Sequence, residues 1–347
     1  MKYFISILAI SFFIVGCGKS PKKTSMKVSD ELQFDSSAMK TSPVNNPDQK
    51  FILKYNFQKG RTYRYRLTTI AHDNKTIQVD TTMLQNVEQQ ITYLMNFNLS
   101  GVDKNNIMEL SCNISAIKLN ASANGKHFRY VSNTPLDSID KIRYADYESL
   151  INNPFALRVS QEGEIREIFH VDKIVSKFLS IRGIADSATS DQKDAIRYQM
   201  INGALKPLLR QIFRQMPDGF VAKDSAWKNA QPPSRILIYK LQNINDYKVQ
   251  NLVKWNNNKI AVLEAGLITK ITGNDTYNRR GISYKFEKPK TSANGIVYFN
   301  ISKGLIQKSK THSTVKTAFS MKMSGPNGKR SGNQKETMTD TNIVELL

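Results

Sequence analysis

Ile91-Thr92-Tyr93-Leu94-Met95-Asn96-Phe97-Asn98-Leu99 decides the fold class. Apolar side chains occupy every second position, Ile91, Tyr93, Met95, Phe97 and Leu99, which is the period of a strand with one buried face. Upstream, Tyr63, Tyr65 and Leu67 alternate with Arg64 and Arg66, predicting another half-buried strand with a basic outer face. Downstream, Gly101-Val102-Asp103-Lys104-Asn105-Asn106 is a turn, and residues 107–119 resume as a long strand. Asn124-Gly125 offers a tight hairpin turn into a strand at 128–131. Long strands in series, joined by short polar turns, predict an antiparallel meander.

The middle of the chain changes period. Val171, Ile174, Val175, Phe178 and Leu179 have the spacing of an amphipathic helix, with Gly183 placed to end it. Ser190 is a candidate N-cap for a second helix, whose stripe runs from Ile201 to Met216 and is interrupted by Pro207, predicting a kink or two abutting helices. Residues 137–152 read as a weaker helix stopped by Pro154, and 155–170 as a hairpin turning at Glu162-Gly163. After Pro232-Pro233, strand character returns at 236–241, 247–255, 259–272, 282–286, 296–301, 305–309 and 315–323. Residues 325–335 read as a polar loop, and 341–346 as a closing strand. The expected fold is mainly β within the α+β class. It is a large curved antiparallel sheet or two-lobed half-barrel, residues 51–347, with a helical insertion at about 137–216.

The N-terminus carries a different signal. Lys2 supplies a positive charge, residues 3–15 form an apolar run too short to span a bilayer comfortably, and the run ends in Ile14-Val15-Gly16-Cys17. This resembles the lipobox of a bacterial lipoprotein. The resemblance implies a signal peptide over residues 1–16 cleaved after Gly16, and a diacylglycerol, with palmitate-type acyl chains, on the Cys17 thiol. Residues 17–50, rich in Ser, Lys, Asn and Pro beyond the cysteine, read as a flexible tether. Gly18 stands where some enterobacterial lipoproteins carry an Asp that resembles an inner-membrane retention signal, which tilts the expected location to the outer membrane, facing the periplasm.

Short motifs along the chain resemble a family of uncharacterised Gram-negative lipoproteins with a domain of unknown function. They are Gly60-Arg61-Thr62-Tyr63-Arg64-Tyr65, then Met216-Pro217 with Val221 and Lys223-Asp224-Ser225-Ala226-Trp227, then Lys303-Gly304-Leu305-Ile306. The Trp segment departs from the family's Gly-Asp-Ser-Trp by one extra residue and by Lys in place of Gly. The resemblance implies a location in the envelope and brings no catalytic residues.

The 347 residues carry 50 Lys and Arg against 29 Asp and Glu, a net charge of +21, which becomes +20 once Lys2 leaves with residues 1–16. Such a charge raises nucleic acid as a partner, but an exported chain meets anionic lipid headgroups and lipopolysaccharide phosphates instead. His72, His127, His170 and His312 fall in no zinc-binding spacing, and neither a nucleophile elbow nor a phosphate-cradling loop is present. No catalytic, cofactor or metal residues are expected. Cys112 alternates with Leu110 and Ile114 and reads as a small buried hydrophobe. Four tripeptides, beginning at Asp80, Asp137, Asp186 and Asp224, match a short periplasmic O-glycosylation pattern. The leading expectation is a non-enzymatic lipoprotein that holds a hydrophobic or amphipathic ligand on its sheet. The alternative is a structural lipoprotein that docks an envelope protein.

Overall fold

The computed structural model describes residues 30–347 except Arg280, Pro326 and Asn327. The N-terminal strands are β1 (Ser42–Pro43), β2 (Phe51–Ile52), β3 (Thr62–Gln78), β4 (Thr82–Val102), β5 (Met108–Ala123) and β6 (Lys126–Val131). The middle holds α1 (Ser138–Arg143), α2 (Ala145–Leu150), the hairpin β7 (Phe155–Val159) and β8 (Ile165–Phe169), α3 (Asp172–Ile181), α4 (Ser190–Gln199) and α5 (Lys206–Ile212). Then come β9 (Phe220–Val221), β10 (Ala226–Ala230), β11 (Ser234–Ile236), β12 (Tyr239–Trp255) and β13 (Asn258–Thr272). The last strands are β14 (Thr276–Arg279), β15 (Ile282–Phe286), β16 (Lys290–Asn300), β17 (Leu305–Gly325) and β18 (Gly328–Leu346).

Sixteen strands make one antiparallel sheet, with main path β1, β12, β13, β16, β17, β18, β3, β4, β5, β7, β8. The sheet is not closed into a barrel. The C-terminal strand β18 lies between β17 and β3, so it joins the two strand-rich parts of the chain. Asn124-Gly125 and Asn256-Asn257 make two-residue turns with positive φ at both positions, the geometry that matches the twist of a hairpin.

One face of the sheet, at the end where β3 begins and β18 finishes, is covered by the helices and by residues 51–57. The core between them contains Tyr65, Met95, Phe97, Leu110, Ile114, Leu263 and Phe299 from the sheet and Ile174, Leu205, Leu209 and Phe213 from the helices. A smaller cluster, Ile236, Tyr239, Leu241 and Phe286, packs nearer the far end.

Several expectations are corrected. The helical insertion is modest: its helices are six to ten residues long and a hairpin divides them. Thr189, not Ser190, caps α4, its side chain accepting from Gln192 N–H while the Gln192 side chain accepts from Thr189 N–H. Ahead of Pro207 the chain widens into a π-helical turn, Met200–Leu205, the form its interruption takes. Gly325 and residues 328–335 are strand rather than loop, because β17 and β18 pair up to Gly325 and Gly328. His72 and Asp73 lie inside β3, opposite Thr339 and Met338 of β18. Both segments are polar on their two sides, so no hydrophobic period marks them as strand.

Residues 30–43, read as part of the tether, run across the other face of the sheet as a strap. Leu32 is buried against Leu94 and Ala116, and β1 pairs with β12. Glu31 pairs with Arg64, and Lys308 Nζ reaches Asp35 at 2.8 Å. Any tether therefore consists of the residues before Asp30, which lie outside the described ones.

Candidate functional site

Cys17 and Gly16, with the whole signal segment, lie outside the described residues. Cys112 is fully buried on β5 opposite Phe97, with its Sγ 3.7 Å from the Leu110 carbonyl oxygen. Burial pushes the thiol well above its usual value, so it stays protonated. The histidines do not converge. His72 is 3.7 Å from Glu88, His312 contacts Thr341 at 3.0 Å, His170 ends the β7–β8 hairpin, and His127 is on the short strand β6. Among the described residues no group of three or more His, Cys, Asp or Glu is placed to hold a metal ion. Asp137 caps α1 and Asp224 pairs with Lys248, so two of the four tripeptides have structural roles.

The motifs quoted from the sequence surround residues 51–57. Tyr65 donates to the Ile306 carbonyl at 2.9 Å, and Tyr63 accepts from Gln58 N–H and packs on Phe57. Asn56 N–H donates to the Gly304 carbonyl, and a Cβ at Gly304 would lie 2.6 Å from that of Asn56, so only glycine fits this approach. Trp227 donates to the Gln215 carbonyl and stacks on Tyr247. Tyr55 sits at the centre: its hydroxyl donates to the Ile212 carbonyl at 2.8 Å and accepts from Arg214 N–H at 2.8 Å. Its ring meets Phe213 and Phe299, each 5.4 Å away. The region between sheet and helices is thus occupied by interlocked aromatic rings.

Two indentations stand out on the surface. One is a half-open notch of about 300 Å³ lined by Lys285, Phe286, Glu287, Phe319, Gln334 and Lys335, among others. The other, about 160 Å³, lies beside α3 and α4. The strapped face carries a charge network that sequence reading missed. Arg66 Nε is 2.7 Å from Glu345 Oε2, Lys308 Nζ is 4.0 Å from Glu345 Oε1, and Asp35 N–H donates to Glu345. These residues are adjacent only through the β17–β18–β3 register. The Lys308 ammonium beside Asp35 holds that carboxyl well below the usual carboxylate range.

On the core-side face, beyond the helices, Asp73, Glu336 and Asp340 lie close together, with Lys75 paired to Glu336 at 2.8 Å. Burial is the first cause of the raised values of Asp73 and Asp340, and Glu336 adds to it at Asp73.

No curated protein matches the chain. Lipovitellin aligns with 84% of this chain and 25% of its own, at TM-score 0.36 and 12% identity, so this chain spans about a quarter of that protein. An outer membrane channel from Pseudomonas putida F1 aligns over 85% of this chain and 98% of its own, at TM-score 0.21 and 6% identity. OccK5 (OpdH) of Pseudomonas aeruginosa does so over 84% and 100%, at TM-score 0.21 and 7% identity. Likenesses this weak say nothing of shared function. The model of a family of unknown function, DUF6263, matches residues 105–306, from the β4–β5 turn through the helices to the start of β17. That is more than half of the chain, and the protein therefore belongs to DUF6263.

Proposed function

We propose that this protein is a non-enzymatic lipoprotein of the cell envelope, held by acyl chains on Cys17 at the outer membrane and facing the periplasm. Its large sheet bends around its helices and serves as an interaction platform rather than as a carrier of a hydrophobic ligand. The observation that carries the choice is the filling of the region under the helices by Tyr55, Phe57, Phe97, Phe213 and Phe299, whose ring centroids lie 5.4 to 6.3 Å apart. A site for a lipid-sized ligand needs a concave space of several hundred Å³ that encloses most of it. Here rings take that position, and the notch of about 300 Å³ is half-open.

Native mass spectrometry and organic extraction of the purified protein test the reading. The expected result is no lipid beyond the covalent acyl chains, together with one specific envelope protein captured by crosslinking in cells. Stoichiometric non-covalent lipid, with uptake of a fluorescent lipid, would overturn it in favour of the carrier.

A further inference from the structure

Five lysines from separate parts of the chain meet on the strapped face, at the end of the sheet remote from the helices. Lys316 lies directly opposite Lys290, Ala318 opposite Lys335, Ser320 opposite Lys285, and Lys322 two positions further along β17. Since alternate residues of a strand share a face, all five side chains project to the same side. All five are exposed, and among the described residues none of their ammonium groups makes a hydrogen bond or ion pair. The strand positions between them, Ala318, Ser320, Ser283 and Asn333, carry no charge. The half-open notch opens among them, flanked by Lys285 and Lys335, with Glu287 as its one carboxylate.

Like charges directly opposite each other in a sheet destabilise it. An array of this kind, about 20 Å from Lys316 to Lys322, therefore has its favourable state when anions lie over it. At the same end of the sheet Leu84, 67% exposed, lies on the same face as Thr76, while Val79 and Met83 are exposed at the β3–β4 turn with Met83 paired to Ile77 on the opposite face. Lysines with an exposed leucine on their own face match the interface of an anionic bilayer, with phosphates over the ammonium groups and the leucine dipping below them.

The strap gives an independent pointer to the same side. Lys308 and Lys310, which hold Asp35 and the Ser36 carbonyl, share the parity of Lys316 and Lys322, and β17 pairs with β18 without a bulge between them. The chain therefore enters from the lysine-bearing face. Cys17 lies thirteen positions ahead of Asp30, a reach of at most about 45 Å.

We infer that the face bearing Lys285, Lys290, Lys316, Lys322 and Lys335 docks on the phosphate headgroups of an anionic lipid bilayer, giving the protein a second membrane contact beside its anchor. Only the second contact rests on the anchor reading; the headgroup site stands without it. The test therefore uses full-length Cys17→Ser chain, which carries no acyl group, with and without the five Lys→Gln substitutions. Binding is measured by sedimentation with vesicles of equimolar phosphatidylglycerol and phosphatidylcholine and with pure phosphatidylcholine. The five-lysine variant is expected to lose at least about tenfold in affinity for the anionic vesicles, and the parent to release them at about 1 M salt, where screening is nearly complete. Neutralising Lys104, Lys141, Lys173, Lys177 and Lys193, in the β4–β5 turn and on the helical side, removes the same charge and should leave binding within about twofold, since screening confines attraction to nearby groups. Equal binding by the five-lysine variant, equal binding to phosphatidylcholine alone, or an equal loss in the control variant would overturn the assignment. Unchanged thermal unfolding of the exposed-site variants excludes misfolding as the cause. Failure of Cys17 acylation in cells would leave the vesicle result intact, so the two readings fail separately.

Discussion

Tyr55→Phe removes a single oxygen from the centre of the molecule and keeps the ring. Tyr55 is fully buried, and its hydroxyl donates to the Ile212 carbonyl at the end of α5 while accepting from Arg214 N–H. Residues 51–57 are tied to the rest of the fold there, through the β2–β9 pairing, and by backbone bonds from Tyr55 N–H to the Gln161 carbonyl at 2.7 Å and from Asn56 N–H to the Gly304 carbonyl at 2.9 Å. Phenylalanine retains the contacts with Phe213 and Phe299 but strands a buried acceptor, the Ile212 carbonyl, and a part-buried donor, Arg214 N–H. A fully buried group left unpaired costs about 1–3 kcal/mol and a part-buried one less, so the variant should lose about 2–4 kcal/mol in all. At about 2 °C per kcal/mol for a chain of this size, Tm falls by about 4–8 °C. Urea unfolding followed by circular dichroism gives the free energy, and faster amide exchange at Arg214 gives the location. Gly163→Ala strikes the same clasp from the other side. Its Cβ would stand 2.4 Å from the Arg214 carbonyl oxygen and 2.6 Å from the Tyr55 ring, at a φ of +88°. Because both substitutions disturb one contact, their costs should not add. A loss under about 0.5 kcal/mol for Tyr55→Phe, or strict additivity with Gly163→Ala, would refute the clasp.

Glu345→Gln should cost about 2–4 kcal/mol in urea unfolding, because it leaves the largely buried Arg66 without its carboxylate partner and Lys308 with Asp35 alone. The Asp35 pair with Lys308 has a depressed carboxyl, so its contribution is present above the ordinary aspartate range and lost as pH falls below it; amide exchange in residues 33–37 should rise in strong acid and not at neutral pH. Asp340 has the opposite sign: burial raises its value, so its ionisation works against the fold as pH rises through that value. Asp340→Asn should therefore stabilise at neutral pH, with the gain vanishing below about pH 4. Cys112 should resist alkylation in the native protein and react only on unfolding; rapid labelling without unfolding would contradict its burial.

Strands with one buried face were legible in the sequence. The alternation at 91–99 and at 63–67 corresponds to β4 and β3, and the Asn124-Gly125 turn follows from its φ preference. What was not legible lies where neither side is apolar. The far halves of β3 and β18 present His72, Asn74, Thr337 and Thr339 on one side and, around the single buried Met338, Asp73, Lys75 and Glu336 on the other, so no apolar alternation marks their pairing. The strap was hidden for a related reason. Its fixed points are one leucine, Leu32, and two acids, Glu31 and Asp35, whose cationic partners lie 33 and 273 residues away in the chain. The lysine array is the extreme case, because Lys285, Lys290, Lys316, Lys322 and Lys335 come from four strands and become a single surface only when the pairing of β15, β16, β17 and β18 is known.

Cys17 is the residue on which the proposed covalent attachment of this sheet to a membrane turns. Wild-type protein and Cys17→Ser are expressed in a Gram-negative host with a palmitate analogue, fractionated, and probed for label. Wild type is expected to take up the label and to sediment with the outer membrane through a high-salt wash, whereas Cys17→Ser carries no label and is released by that wash. Unlabelled wild-type protein, or a Cys17→Ser chain that stays on membranes through the wash, would contradict that attachment.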